Sequence, residues 1–192
     1  LSTQDADFDS QLTELLAFET VNYADLLKTV DDIIAKVRHG GVRVVLELTQ
    51  QFDQHPATKM QALELSQEAL AEAFINLDDV VKTALTTAAT RVQNFHERQI
   101  QETWQYEDEL GNRLGQKVTA LDRVGIYVPG GLASYPSSVL MNAIPAKVAG
   151  VKEVIMVVPA PKGVLNPLVL AAAHLAKVDR VFTIGGAQAV AA

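Results

Sequence analysis

Between residue 8 and about residue 101, apolar positions recur every three or four residues, and Gly and Pro are almost confined to Gly40-Gly41 and Pro56. That period is the mark of helices with one buried face. Leu26, Val30, Ile33, Ile34 and Val37 form one such face, which Gly40-Gly41 can close with a left-handed cap. Val42 to Phe52 reads as the next helix, ending before His55-Pro56. Ser66 is suited to N-cap a third helix carrying Leu70, Ala73, Phe74 and Leu77. Asp78 or Asp79 caps a fourth, where Val81, Leu85, Ala88, Val92 and Phe95 make a heptad-like stripe for a partner helix or a sheet face.

From about residue 117 the texture changes to apolar runs punctuated by Gly and Pro. Arg123–Val128, Val154–Val158 and Val181–Ile184 read as strands, the second continuously apolar as in a sheet covered on both faces. A helix starting at Ser137 or Ser138 and stopped by Gly150 follows the first strand; Pro145 inside it predicts a kink or a late start. An alanine-rich helix, Leu168–Lys177, follows the second strand and the loop 159–167. Strand–helix repeats of this length predict a parallel sheet with right-handed crossovers. Between the halves lie Trp104–Glu109 and Leu110–Thr119, where the pair Gly111-Asn112 and the strand-formers flanking it read as a β-hairpin or ribbon. The fold class is thus α/β: a helical region (1–103), a hairpin connector (104–122) and an incomplete Rossmann-like βαβαβ unit (123–192).

Charge narrows the partners. The net charge is −7 with a pI near 5.0, and no basic run exceeds a pair, which argues against nucleic acid and against a membrane surface. No apolar stretch approaches the ~18 residues that span a bilayer, and the acidic N-terminal residues do not resemble a secretory signal. The absence of cysteine removes disulfides, thiolate metal sites and a cysteine nucleophile from this stretch, and fits a cytoplasmic protein.

Chemistry-bearing residues gather at the strand ends. Pro129-Gly130-Gly131 and Gly185-Gly186-Ala187-Gln188 both follow strands, where glycines let a backbone approach a ligand and a helix N-terminus offers N–H groups. Sharp strand-to-helix turns also need Gly whatever they bind, and neither turn is the GxGxxG fingerprint. Tyr127, one residue from its strand's end, and Gln188, at a helix start, both reach that edge; one offers a ring and a hydroxyl, the other an amide donor and acceptor. Ser134, Ser137 and Ser138 suit either phosphate or helix capping. No spacing joins His39, His55, His96 and His174 into a metal site, and surface or capping roles suffice for them. The acidic pairs read as solvated or helix N-terminal positions. The chain ends one turn into a helix, as the front part of a longer enzyme would.

These residues carry a resemblance. Arg123–Gly131, Ser138–Ala146 and Gly185–Ala191 match, in order and spacing, three motifs of the histidinol dehydrogenases. Weaker similarity runs back through Asn94-Phe95-His96 and the Gly40-Gly41 helix pair. The resemblance implies a zinc-dependent, homodimeric enzyme of the last step of histidine biosynthesis. It oxidises L-histidinol to L-histidine through the aldehyde and reduces two NAD in succession. Tyr127 and Gln188 match the family's NAD-contacting tyrosine and glutamine, and Pro129, Gly130 and Gly131 form the adjoining turn. The family's zinc ligands and its Glu-His acid/base pair fall beyond Ala192, so the resemblance implies no catalytic or metal-binding residue here and an inactive fragment. The loop 161–167 looks longer than the family's common form. A stand-alone, non-catalytic nucleotide-binding module of the same fold is the alternative. An aldehyde dehydrogenase relative has the same type of fold but needs a cysteine. Gln188→Ala is expected to weaken NAD binding with little loss of stability. The chain on its own is expected to self-associate through the Val81–Phe95 stripe or a sheet edge.

Overall fold

In the computed structural model, residues 1–16, 23–130 and 135–192 are described. Gly131 and Ser134 lie outside them. After a short helix α1 (Phe8–Leu16), the chain forms α2 (Tyr23–Asp53), which is two helices joined at Gly41. The backbone there takes φ 57° and ψ −145°, outside helical space and accessible to glycine. The expected break is therefore present, as a kink.

Strand β1 (Glu64–Leu65) comes next, and its two residues are too few for a periodicity to reveal. α3 (Gln67–Ile75) starts at Ser66, whose hydroxyl accepts the Ala69 N–H at 3.2 Å. α4 (Asp79–Glu97) starts at Asp78, whose carboxylate accepts the Val80 N–H. The inward face of α4 is Leu85, Ala89, Val92 and His96. Leu85 and Val92 belong to the expected stripe, but Ala88 and Phe95 face outward and Ala89 takes the buried place. The helix is rotated by about one position because its partner is α5 and not a second heptad helix.

The hairpin forms as β2 (Trp104–Glu107) and β3 (Arg113–Gln116), paired antiparallel and exposed at every position. Asp108 organises its turn, accepting from the Leu110 and Asn112 N–H groups. β4 (Arg123–Tyr127), α5 (Pro136–Val148), β5 (Glu153–Val157), α6 (Pro167–Leu175), β6 (Arg180–Phe182) and α7 (Gly186–Ala191) complete the chain. α5 opens one residue earlier than expected, because Pro136 occupies the first turn where its missing N–H costs nothing. It also runs through Pro145 without a break, and the carbonyl that Pro145 leaves without an N–H is that of exposed Met141.

The sheet order is β1-β6-β5-β4: three parallel strands plus β1, antiparallel to β6. Glu64 reinforces the β1–β6 pair with a bidentate contact to Arg180, at 2.7 and 3.0 Å. One face of the sheet is sealed. Val124, Ile126, Val154, Met156 and Val181 pack there with α5, α6 and residues Leu70 and Ala89 of the N-terminal helices. The other face is half covered. Val157, Phe182 and Ile184 meet α2 and α7 through Val37, Val45, Leu48 and Ala189. Toward β4 that face stays open, so β5 alternates between fully and half-buried residues although its sequence is apolar throughout.

Candidate functional site

Three parallel strands end side by side, with β5 in the middle. The ladder continues for one residue past the strands: Val128 N–H donates to Val157 O and Val158 N–H to Phe182 O, both at 3.0 Å. Two residues then break it, because Pro129 and Pro159 have no N–H to donate. Past them lie Gly130 after β4, Ala160 after β5 and Gly185 after β6.

Tyr127 stands on the open face of β4, and its side chain reaches across β5. Its hydroxyl accepts the Gly186 N–H at 3.0 Å. The end of β4 and the turn after β6 are thus joined directly, and one of the N–H groups at the start of α7 is already engaged. Gly186 takes φ +64°, in the left-handed region that glycine enters without strain. A Cβ on it would lie 2.6 Å from Gln188 Oε1. Gln188 is 1% exposed, and its Oε1 is buried without a hydrogen-bond partner. A buried acceptor left empty costs about 1–3 kcal/mol. Pro129 and Gly130 are exposed beside it. Of the expected site residues, Tyr127 and Gln188 therefore meet at one turn, with Pro129 and Gly130 on the neighbouring strand end. Ser137 and Ser138 sit in the first turn of α5, whose N-cap position is taken by Tyr135.

The open face adjoining Tyr127 forms a cleft of roughly 530 Å³, lined by Gly125, Ile155, Val157, Phe182 and Ile184 among others. Its walls are mostly apolar, as suits a flat ring or a packed chain segment.

The histidines remain apart. His39 contacts the Ala35 carbonyl, His96 contacts Gln99, and His174 stacks on Phe74 at 5.6 Å between centroids. His55 is buried, unlike the surface or capping role its sequence context suggests. Its Nδ1 accepts the Ala57 N–H at 3.1 Å, so the neutral ring carries its proton on Nε2, 3.2 Å from Thr183 Oγ1. Thr183 in turn donates to the Leu63 carbonyl. Burial pushes the His55 pKa down against the pull of nearby Asp53, and burial likewise raises that of Asp53. This cluster pins the loop after α2 to the end of β6. Among the described residues, no group of three or more His, Cys, Asp or Glu could hold a metal, and no helix is long and apolar enough to cross a membrane.

Two contributors escaped the sequence reading: Thr183 with His55, and Pro159. The signal for Pro159 was present, since Val128-Pro129 and Val158-Pro159 end two neighbouring strands in the same way.

Fold and edge together define an α/β protein with a parallel sheet whose chemistry-bearing side chains collect at the carboxyl ends of its strands. The family model described as histidinol dehydrogenase matches residues 17–192, so the chain belongs to the histidinol dehydrogenase family. It is 92% identical over all 192 residues to the histidinol dehydrogenase of Psychrobacter arcticus and 68% identical to that of Acinetobacter baylyi. It spans 44% and 45% of those two proteins. Among solved structures it is similar to histidinol dehydrogenase from Elizabethkingia anophelis, with a TM-score of 0.79 and 27% identity. That match covers 86% of this chain and 38% of the other.

Proposed function

We propose that this chain is the cofactor-side front part of a histidinol dehydrogenase, a cytoplasmic enzyme that oxidises L-histidinol to L-histidine through the aldehyde with two NAD. Tyr127, Gln188 and the Pro129-Gly130-Gly131 turn are its NAD contacts. The observation that carries this reading is the empty acceptor of Gln188, buried beside a turn that Tyr127 holds from across the sheet. A carboxamide-bearing cofactor fits that pair, because Gln188 offers an unmet acceptor and the Tyr127 hydroxyl still has its own proton to donate. Bound NAD supplies the hydride acceptor; the residues here bind and orient it.

The described residues do not fit zinc. This reading therefore places the metal ligands and the acid/base pair in the segment its relatives carry after the matched part, and assigns the chain no catalytic residue. Homodimerisation belongs to the same reading. The test is a chain extended to the relatives' length. It should reduce NAD in the presence of L-histidinol, and both Tyr127→Phe and an isosteric change at Gln188 should raise the KM for NAD. Unchanged KM values in both variants would remove the NAD assignment. Nucleotide binding that persists without any turnover in the extended chain would favour a non-catalytic module.

A further inference from the structure

We propose that Pro159 is the positioning residue of this edge: at the end of the middle strand, its ring sets the place of the glycine turn after β6, while its carbonyl meets Gly130 on the other side. The proposal rests on the reading of the edge as an NAD site. Neighbouring strands lie about 4.8 Å apart, so the turns leaving β4 and β6 stand on either side of the β5 end. Each closes onto Pro159 more tightly than a side chain would allow. A Cβ on Gly130 would overlap the Pro159 carbonyl oxygen and come within 3.1 Å of its Cβ. A Cβ on Gly185 would overlap Pro159 Cγ and lie 2.6 Å from its Cβ. Gly185 is buried, and its neighbour Gly186 carries the contacts to both Tyr127 and Gln188.

The two glycines therefore do something other than open a path for a ligand. Their missing side chains face Pro159, and the ligand-facing geometry follows from that contact. A proline suits the task. Its ring fixes φ, it ends the ladder by having no N–H, and it brings no side-chain rotamers to be frozen. Movement of the ring would pass through Gly185 to Gly186, and so to the hydroxyl and amide that this account gives to NAD.

The two contacts differ in kind, which makes the proposal testable. Gly185 meets the proline ring; Gly130 meets the backbone carbonyl, which every residue has. Gly185→Ala should expose the Gly186 amide to hydrogen exchange, lower the melting temperature and weaken NAD binding about tenfold, one hydrogen bond's worth. Adding Pro159→Gly should restore much of all three, because the new methyl takes the space the ring leaves. Gly130→Ala should gain nothing from Pro159→Gly. Pro159→Ala, which keeps the Cβ, should give partial rescue of Gly185→Ala and serves if the glycine variant does not fold. A Gly185→Ala protein with normal Gly186 protection, or one that neither Pro159 change improves, would overturn the proposal. Absence of NAD binding by the parent protein, with Gly186 protection still following the cycle, would remove the NAD reading and leave Pro159 in its positioning role.

Discussion

At the scale of single residues, Gln188 and Asp53 each bury a side-chain oxygen that lacks a hydrogen-bond partner, and Gln188 is the one at the strand-end edge. It is 1% exposed, ranks among the largest fully buried side chains, and leaves Oε1 without a partner. The expectation that Gln188→Ala costs little stability therefore needs revising. Truncation at a buried site opens a cavity, and the loss is about 2 kcal/mol or more by analogy with other large-to-small changes. Gln188→Met keeps the volume and removes the empty acceptor. It should stabilise the free protein by about 1 kcal/mol in urea titrations while weakening NAD binding. Tyr127→Phe should behave differently. Gly186 is exposed, so water can take its N–H, and the melting temperature should change little while exchange at that amide speeds up. Both residues were legible in the sequence from their places beside glycine turns. That Tyr127 already holds Gly186, and that the Gln188 amide is packed inward, was not, because a six-residue helix has too little pattern to show which way each side chain points.

Among elements, the long amphipathic helices and the three parallel strands were readable because their periods extend over several repeats. The failures share a cause: each depends on a partner distant in sequence. β1 is two residues long and becomes a strand only by pairing with β6. The buried face of α4 shifts to Ala89 because α5 decides which side is covered. His55 lies in a loop as expected but is buried instead of exposed, its Nε2–H met by Thr183, 128 positions later. Thr183→Val would leave that donor without a partner, while the Leu63 carbonyl keeps the backbone N–H of residue 183 at 2.7 Å. The substitution should cost about 1–3 kcal/mol of unfolding free energy. The histidine also gives a pH signature. Its pKa is lowered in the folded state by burial, against the opposing charge of Asp53, so the unfolded chain binds a proton more readily. Stability should hold above the ordinary histidine value of 6.5 and fall as pH drops from there toward the folded value. Asp53, raised by burial, acts in the opposite sense at lower pH, since the folded state then takes up its proton first. Replacing His55 with Gln should flatten the decline below pH 6.5 in urea midpoints measured across pH. An unchanged slope would show that His55 is not its source.

At the level of the whole molecule, one sheet face is sealed by four helices and the other is half open beside Tyr127, with β4 as the outer strand of the sheet among the described residues. Phe95, Trp104, Tyr106 and Leu110 are also exposed. Surfaces of this kind favour association. Light scattering on the chain by itself should therefore report species larger than a monomer, and a monomer at high concentration would contradict this. The family to which the chain belongs accounts for the parallel sheet and the strand-end motifs, and its relatives are more than twice as long. We propose that the edge built from Tyr127, Gly186 and Gln188 holds NAD. Isothermal titration of NAD into a chain of the relatives' length, beside its Gln188→Met variant, tests it most directly. Saturable binding to the parent is expected, with a dissociation constant raised about tenfold in the variant, the worth of one hydrogen bond. Equal dissociation constants for two equally folded proteins would contradict it.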